Sequence, residues 1–320
     1  MVAGALLVTA LVAGWYVTGG VKSDDPMQDR HLLKRGMERP PIWIYVDNSE
    51  VNSRMWADFG ARSSRALNLP FLNLCYESCM KHNGSQYRVE VIGGLADLAM
   101  RLGGWGELPT KLQNPEAQVR EPELNWIRAA VLAKWGGLWA SPALVWMRGV
   151  GELPADRCVF FGSDDEVTFV GRGGTGGPGL RLAWSPTPEH PIWTLWEDKA
   201  RQRLETKAGG SEFGRDEMYD ATDAIRQGEA MNEPVAVRPT AELTRKGAAG
   251  RRLQLEDLLA TAQEGGVAHF AVPSDTVVVP IPWPEIKERR NFGWFLRMSE
   301  DQILESELVV ANFLRQSLSK

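Results

Sequence analysis

Asn125 and Arg128 stand three residues apart in the stretch Glu123–Val145, ELNWIRAAVLAKWGGLWASPALV. On a helix that spacing projects both side chains to one side. The pair offers an amide that both donates and accepts hydrogen bonds and a guanidinium with a fixed fork of donors. Asp47-Asn48 follows the apolar run Ile42–Val46, IWIYV. The length and β-branched content of that run predict a buried central strand. Asp47 and Asn48 then fall just past its carboxyl end, where open α/β sheets bind ligands.

Other chemistries are poorly represented. The three cysteines, Cys75, Cys79 and Cys158, are odd in number and do not form a disulfide framework. Cys75 and Cys79 have no His or Cys partners at zinc spacing and read as small core residues on one helix face. The four histidines, His31, His82, His190 and His269, are scattered, so no histidine-based metal site is expected. Gly171–Gly179, GRGGTGGPG, contains a formal GxGxxG. Pro178-Gly179 interrupts the required helix start, and the segment reads as a glycine loop. The net charge is −5, with no long Lys/Arg run, so no nucleic-acid partner is expected.

The elements that must position these residues follow from periodicity. Leu124, Ile127, Val131 and Trp135 form a core-facing stripe on an amphipathic helix over Glu123–Trp135, with Asn125 and Arg128 beside it. Gly136-Gly137 supplies its C-cap. Leu138–Met147 then reads as a strand that Pro142 demotes to an edge or bends. Further helices are expected at Ser53–Leu67, Leu72–His82, Ala96–Leu102, Ile192–Lys207, Leu253–Gln263, Glu285–Met298 and Glu300–Leu318. Further strands are expected at Tyr87–Ile92, Cys158–Phe161, Val167–Val170 and Thr276–Ile281. Residues 103–122 read as a long Gly/Pro loop and residues 208–250 as weakly patterned chain. Alternating strands and helices give an α/β class.

Val2–Val21 carries no charged side chain, and a helix of that length spans about 30 Å, the thickness of a bilayer core. A single-pass anchor over residues 1–21 is preferred to a cleaved signal peptide, because no positive side chain precedes the run. A polar linker over 22–41 and one domain over 42–318 complete the organisation. Lys22, Arg30, Lys34, Arg35 and Arg39 follow the apolar run. The positive-inside rule favours the cytoplasmic side for the domain, and the opposite orientation stays open.

The strand IWIYVD at Ile42–Asp47, together with Arg128 and KWGGLW at Lys134–Trp139, resembles the capsular-polysaccharide-type and DxD-type glycosyltransferases of the GT-A fold. The resemblance covers mainly residues 40–150. It implies a Rossmann-type mixed sheet flanked by helices, a nucleotide-sugar donor and a glycan or other hydroxyl acceptor. It implies donor contacts at Tyr45, Asp47, Asn48, Asn125, Arg128 and Ser141, with Arg128 and Asn125 nearest the chemistry. Asp47 takes the ribose or base on this reading; the alternative is a loop cap. Arg128 otherwise reads as a surface ion-pair partner. The family holds Mn²⁺ or Mg²⁺ on the diphosphate with an acidic pair. Here Ser141 and Ala143 occupy those positions, and Asn125 replaces an aspartate. The implied activity is transfer either with a divalent metal, Mn²⁺ or Mg²⁺, whose usual ligands are missing here, or without one, in which case Arg128, or Arg54, Arg62 and Arg65, meets the phosphates. The alternatives are a degenerate member that binds nucleotide, glycan or a protein without turnover, and a membrane-tethered interaction protein. Asp164-Asp165 is an acidic pair elsewhere, read as a solvated turn rather than a substitute metal site.

Overall fold

The computed structural model describes residues 39–47, 69–162, 178–206, 225–246, 250–261 and 272–319. The expected apolar anchor, most of the linker, the Ser53–Leu67 helix, the Val167–Val170 strand and nearly all of the glycine loop lie outside them. So do Asn48, Arg54, Arg62, Arg65, Asp164 and Asp165. Among the described residues no helix is long and apolar enough to cross a membrane.

A mixed sheet runs in the order β2-β1-β3-β6-β5-β7. Its strands are β1 (Pro41–Val46), β2 (Arg88–Gly93), β3 (Gly137–Ala140), β5 (Cys158–Gly162), β6 (Pro178–Ser185) and β7 (Val235–Arg238). β1 pairs in parallel with β2 and β3, and β5 with β7, whereas β6 is antiparallel to both its neighbours. A second sheet pairs β4 (Leu144–Trp146) with β8 (Val278–Pro280). The helices are α1 (Pro70–Asn83), α2 (Gly94–Leu102), α3 (Glu121–Trp135), α4 (Pro191–Thr206), α5 (Leu255–Leu258), α6 (Trp283–Glu288), α7 (Glu300–Glu305) and α8 (Val309–Leu318).

Alternation along β1 divides the core in two. Ile42, Ile44 and Val46 pack with α1, the second sheet and the C-terminal helices. Trp43 and Tyr45 face the other way, with Trp139 of β3, into the layer made by α2, α3 and α4. Cys75 and Cys79 are buried in the first of these cores, as their helical spacing predicts.

Several expectations need correction. α3 is not amphipathic: Glu123 and every residue from Asn125 to Leu132 are buried, because the sheet covers one side and α4 another. Pro142 does not make an edge strand of β3, which lies inside the sheet between β1 and β6. The chain instead bends after Ala140 and enters the second sheet as β4. β6 was hidden because it begins at Pro178-Gly179, which reads as loop, and β7 because its side chains are mostly half-buried. Residues 225–230, also within the weakly patterned stretch, are helical. Thr110–Leu112 and Trp105–Glu107 form short 3-10 turns inside the expected long loop. The two closing helices are each broken, the first after Glu288 and the second between Glu305 and Val309.

The turn from α3 into β3 needs its two glycines. Gly136 has φ 63° and Gly137 φ 92°. A Cβ on Gly137 would lie 2.6 Å from the carbonyl oxygen of Pro41, at the start of β1. Gly137→Ala therefore combines a left-handed backbone with a backbone clash. We expect a loss of at least about 2 kcal/mol in urea or thermal unfolding. Gly106→Ala, where a Cβ meets nothing within 4 Å, is the control and stays within about 0.5 kcal/mol of the parent.

Candidate functional site

α3 is held at its start by Glu123. One carboxylate oxygen accepts from the Arg120 backbone N–H at 2.9 Å, and the other pairs with Lys111 at 2.5 Å. This satisfies an otherwise orphan donor at the helix N-terminus. Across the helix, Trp126 donates its indole N–H to Glu197 of α4 at 2.7 Å, while the Arg201 guanidinium lies 5.1 Å from the Trp126 ring. Both contacts fix the rotation of α3 about its axis, and so fix where Asn125 and Arg128 point.

Arg128 is not on the surface: it and Asn125 are each only 2% exposed. The Arg128 Nη1 donates to the Asn125 Oδ1 at 3.0 Å, and its guanidinium carbon sits 5.5 Å from the Trp139 ring centroid. Arg128 is therefore not the surface side chain of the alternative reading. Burial of a guanidinium costs free energy that hydrogen bonds and a π face offset. The same burial strengthens its interaction with any anion brought near, because the surrounding dielectric is low.

The site sits toward one edge of the sheet. α3 runs back along β3, so Asn125, three residues before Arg128, lies about 4.5 Å further toward the strand's carboxyl end. Ser141 lies two residues past Trp139, roughly 7 Å in the same direction. It is half-buried, and its backbone N–H donates to the Arg181 carbonyl of β6 at 2.9 Å. Tyr45 is buried on the same face as Trp139, and Asp47 is half-buried just beyond β1. β2 ends beside them at Gly93, whose N–H donates to Asp97 of α2 at 3.0 Å. Tyr45 and Asp47 thus lie toward the carboxyl end of β1 and Ser141 follows β3, while Arg128, bonded to Asn125, packs on Trp139 of β3. Trp139, read from the sequence as part of the turn, is the ring against which the Arg128 guanidinium packs.

A divalent cation does not fit the family's acidic positions in this chain. Ala143 offers no side-chain oxygen, and its carbonyl already accepts from Ile281 N–H at 3.0 Å. Ser141 offers one neutral hydroxyl, whereas hard cations require several oxygen ligands, mostly carboxylates. Among the described residues no group of three His, Cys, Asp or Glu side chains could hold a metal.

One cluster escaped the sequence reading. Cys158 Sγ lies 3.4 Å from His190 Nδ1, and His190 Nε2 lies 3.4 Å from a Glu233 carboxylate oxygen. The order thiol–imidazole–carboxylate resembles a nucleophilic triad. The surroundings argue otherwise. Cys158 is fully buried, and desolvation pushes its thiol up to about 12, far from the thiolate needed for attack. His190 Nδ1 also accepts the Ile192 backbone N–H at 3.3 Å, at the start of α4. The imidazole is a helix cap, and the cluster locks β5, α4 and the segment before β7 together. The available signal was His190-Pro191 ahead of a helical run, a cap followed by the favoured first-turn proline.

No family model matches the chain, and no curated protein matches it. Among solved structures the chain is similar to the PaToxG Glycosyltransferase, with a TM-score of 0.34 and 13% identity, covering 61% of this chain and 73% of that one. Likeness of that degree assigns neither fold nor function.

The His190 cap sets a pH dependence. Burial lowers its pKa below 6.5, and Glu233 opposes the shift without reversing it. The unfolded chain therefore binds the proton first on acidification. The stability contributed by neutral His190 is complete above about pH 6.5 and is lost as pH falls from there through the lower folded value. His190→Asn keeps a capping oxygen and removes the titration. Urea midpoints measured from pH 7.5 to 5 should fall less steeply for this variant. A residual slope remains, because burial also lowers the His82 pKa.

Proposed function

We propose that the chain is a glycosyltransferase of GT-A-like architecture that takes a nucleotide-sugar donor and transfers the sugar to an acceptor hydroxyl without a divalent metal. The observation that carries this reading is the buried Arg128 guanidinium, held by Asn125 and by Trp139 of β3. In such a transfer the bond from the anomeric carbon to the diphosphate oxygen breaks while the bond to the acceptor oxygen forms. Negative charge grows on the leaving diphosphate. A fixed guanidinium in a low-dielectric site opposes that charge without reorganising. Asn125 hydrogen-bonds sugar hydroxyls, and Asp47, Tyr45 and Ser141 border the nucleotide. Asn48, next in sequence, extends this set. The acceptor is a glycan or another hydroxyl compound, and residues 2–21 anchor the chain in a membrane.

A second reading keeps the binding and drops the turnover. Ser141 and Ala143 favour it, since they remove the charge that would otherwise be supplied to the diphosphate. Both readings are separated from a protein without a sugar role by one titration of the full chain. Nucleoside diphosphates and sugar nucleotides are added with and without Mn²⁺, and sugar-nucleotide cleavage is followed in parallel.

The expected outcome is binding that Mn²⁺ does not strengthen. Arg128→Met keeps roughly the side-chain volume but orphans the Asn125 Oδ1, so its melting is measured beside the parent's and binding is compared on folded protein. The variant should lose tenfold or more in nucleotide affinity, about the 1.5–3 kcal/mol of a charged hydrogen bond. Binding with no cleavage in the presence of acceptors selects the second reading. Absence of binding in both conditions, or normal binding by Arg128→Met, overturns the assignment of the site.

A further inference from the structure

A surface remote in sequence from the site combines guanidinium groups with a displayed indole. After α6 the backbone makes two 3-10 turns, Arg290–Phe292 and Phe295–Arg297. Phe292 N–H donates to the Arg289 carbonyl at 3.0 Å and Arg297 N–H to the Trp294 carbonyl at 3.1 Å, so the turns are internally closed. They are seated on an aromatic stack. Phe295 is buried with its ring 5.3 Å from Phe71, and Phe71 lies 5.6 Å from Trp283. Trp294 packs edge-on against Phe295 at 6.0 Å and yet remains 45% exposed. Such a large ring, fixed from below and open to water above, calls for an explanation.

The charges within the two turns themselves are all positive. Arg289–Met298, RRNFGWFLRM, contains three arginines and no acidic residue in a chain whose net charge is −5. Arg289 is tied to Glu256 at 2.5 Å and to Glu285 at 3.3 Å. Arg290 and Arg297 are exposed, and among the described residues neither has a carboxylate partner. Glu288 is the exposed acidic neighbour on α6.

We propose that this surface docks on anionic lipid headgroups, with Arg290 and Arg297 on the phosphates and carboxylates and Trp294 inserted at headgroup depth. Three observations favour a lipid surface over a nucleic acid or a protein. A single indole is displayed, whereas single-stranded nucleic acid is gripped by successive stacking rings. The indole is flanked along the chain by the exposed Arg290 and Arg297, whereas the centre of a protein interface is depleted of charge. Trp with flanking basic residues is the composition of the membrane–water boundary. The apolar run Val2–Val21 also offers the same chain a membrane attachment, which raises the local concentration of headgroups. On the positive-inside reading of the residues that follow that run, the domain faces the cytoplasmic leaflet, the anionic one. The proposal is independent of the sugar-transfer reading.

The test uses the full chain carrying Asn291→Cys, labelled with an environment-sensitive fluorophore. The native thiols Cys75, Cys79 and Cys158 are buried, and burial raises their pKa values, so the label goes to the introduced position. The labelled protein is reconstituted into phosphatidylcholine vesicles and into vesicles that also contain phosphatidylserine. Brightening and a blue shift with phosphatidylserine alone, reversed by salt, are expected. The added substitutions Arg290→Glu and Arg297→Glu should lower the response about fivefold or more for each site. Arg290→Gln with Arg297→Gln gives the smaller loss, and serves where the double reversal does not fold. Identical spectra in both lipids, or a response untouched by the arginine substitutions, would overturn the proposal. So would a stronger response to a soluble oligonucleotide than to the anionic vesicles.

Discussion

The close approach of Gly137 to Pro41 is the constraint on which the site depends. The backbone of β3 starts so near the beginning of β1 that no Cβ fits between them. Trp43 then reaches back from β1 and donates its indole N–H to the Gly136 carbonyl at 2.9 Å. One turn thereby fixes three things: the end of α3, the start of β3 and the register of β3 on β1. Trp43 stands opposite Trp139 in that register, so the Trp139 ring rises on the α3 side of the sheet. Arg128 meets it because α3 must fold straight back from the glycine pair. A longer or looser turn would leave the helix free to slide along the sheet by a residue, and the guanidinium would lose its ring.

Burial of α3 on nearly every side makes the position of Arg128 rigid and costly at once. A helix open to solvent on one face would let the guanidinium swing outward to water, as long side chains on helices do. Here the neighbouring helix and the sheet close that route. The charge must be met inside, by the Asn125 amide and the Trp139 face among its contacts. The Asn125 amide and the Trp139 face fix the orientation of the fork, whereas a carboxylate in the Asn125 position would also bring a negative charge beside it. The amide in this position thus has a physical consequence of its own.

Legibility in the sequence followed burial symmetry. β1 and β5, buried along most of their length, announce themselves as short apolar runs, and the Gly136-Gly137 stop is plain in the letters. The helix pattern of α3 was legible but its exposure was not: Trp126, Ala129 and Ala130 break the expected polar face, and small residues on a helix say little about what covers them. β6 was lost because a Pro-Gly start reads as loop, while its partners lie on both sides in strands far away in sequence. β7, a half-buried strand at the sheet edge, has no alternation strong enough to stand out. Of the candidate site, the positions Asp47, Asn125, Arg128 and Ser141 were chosen through the family resemblance. The burial of Arg128 was not, since it depends on α4, whose packing partner cannot be read from either helix alone.

Ser141 and Ala143 show how far the architecture itself limits the chemistry. Between β3 and β4 the chain leaves one sheet and enters another within three residues, Ser141-Pro142-Ala143. The Ser141 N–H is spent on β6, and the Ala143 carbonyl on the chain entering α6. The backbone at this crossing is therefore committed on both flanks, and only side chains remain to act. A carboxylate in place of the buried Ala143 would have to be desolvated among Leu144, Val145 and the second sheet, at a cost of several kcal/mol unless a cation met it. An acidic residue and its metal are thus a coupled pair at such a position. With alanine in place the core closes over it, and the Ser141-Pro142-Ala143 crossing supplies no side-chain charge.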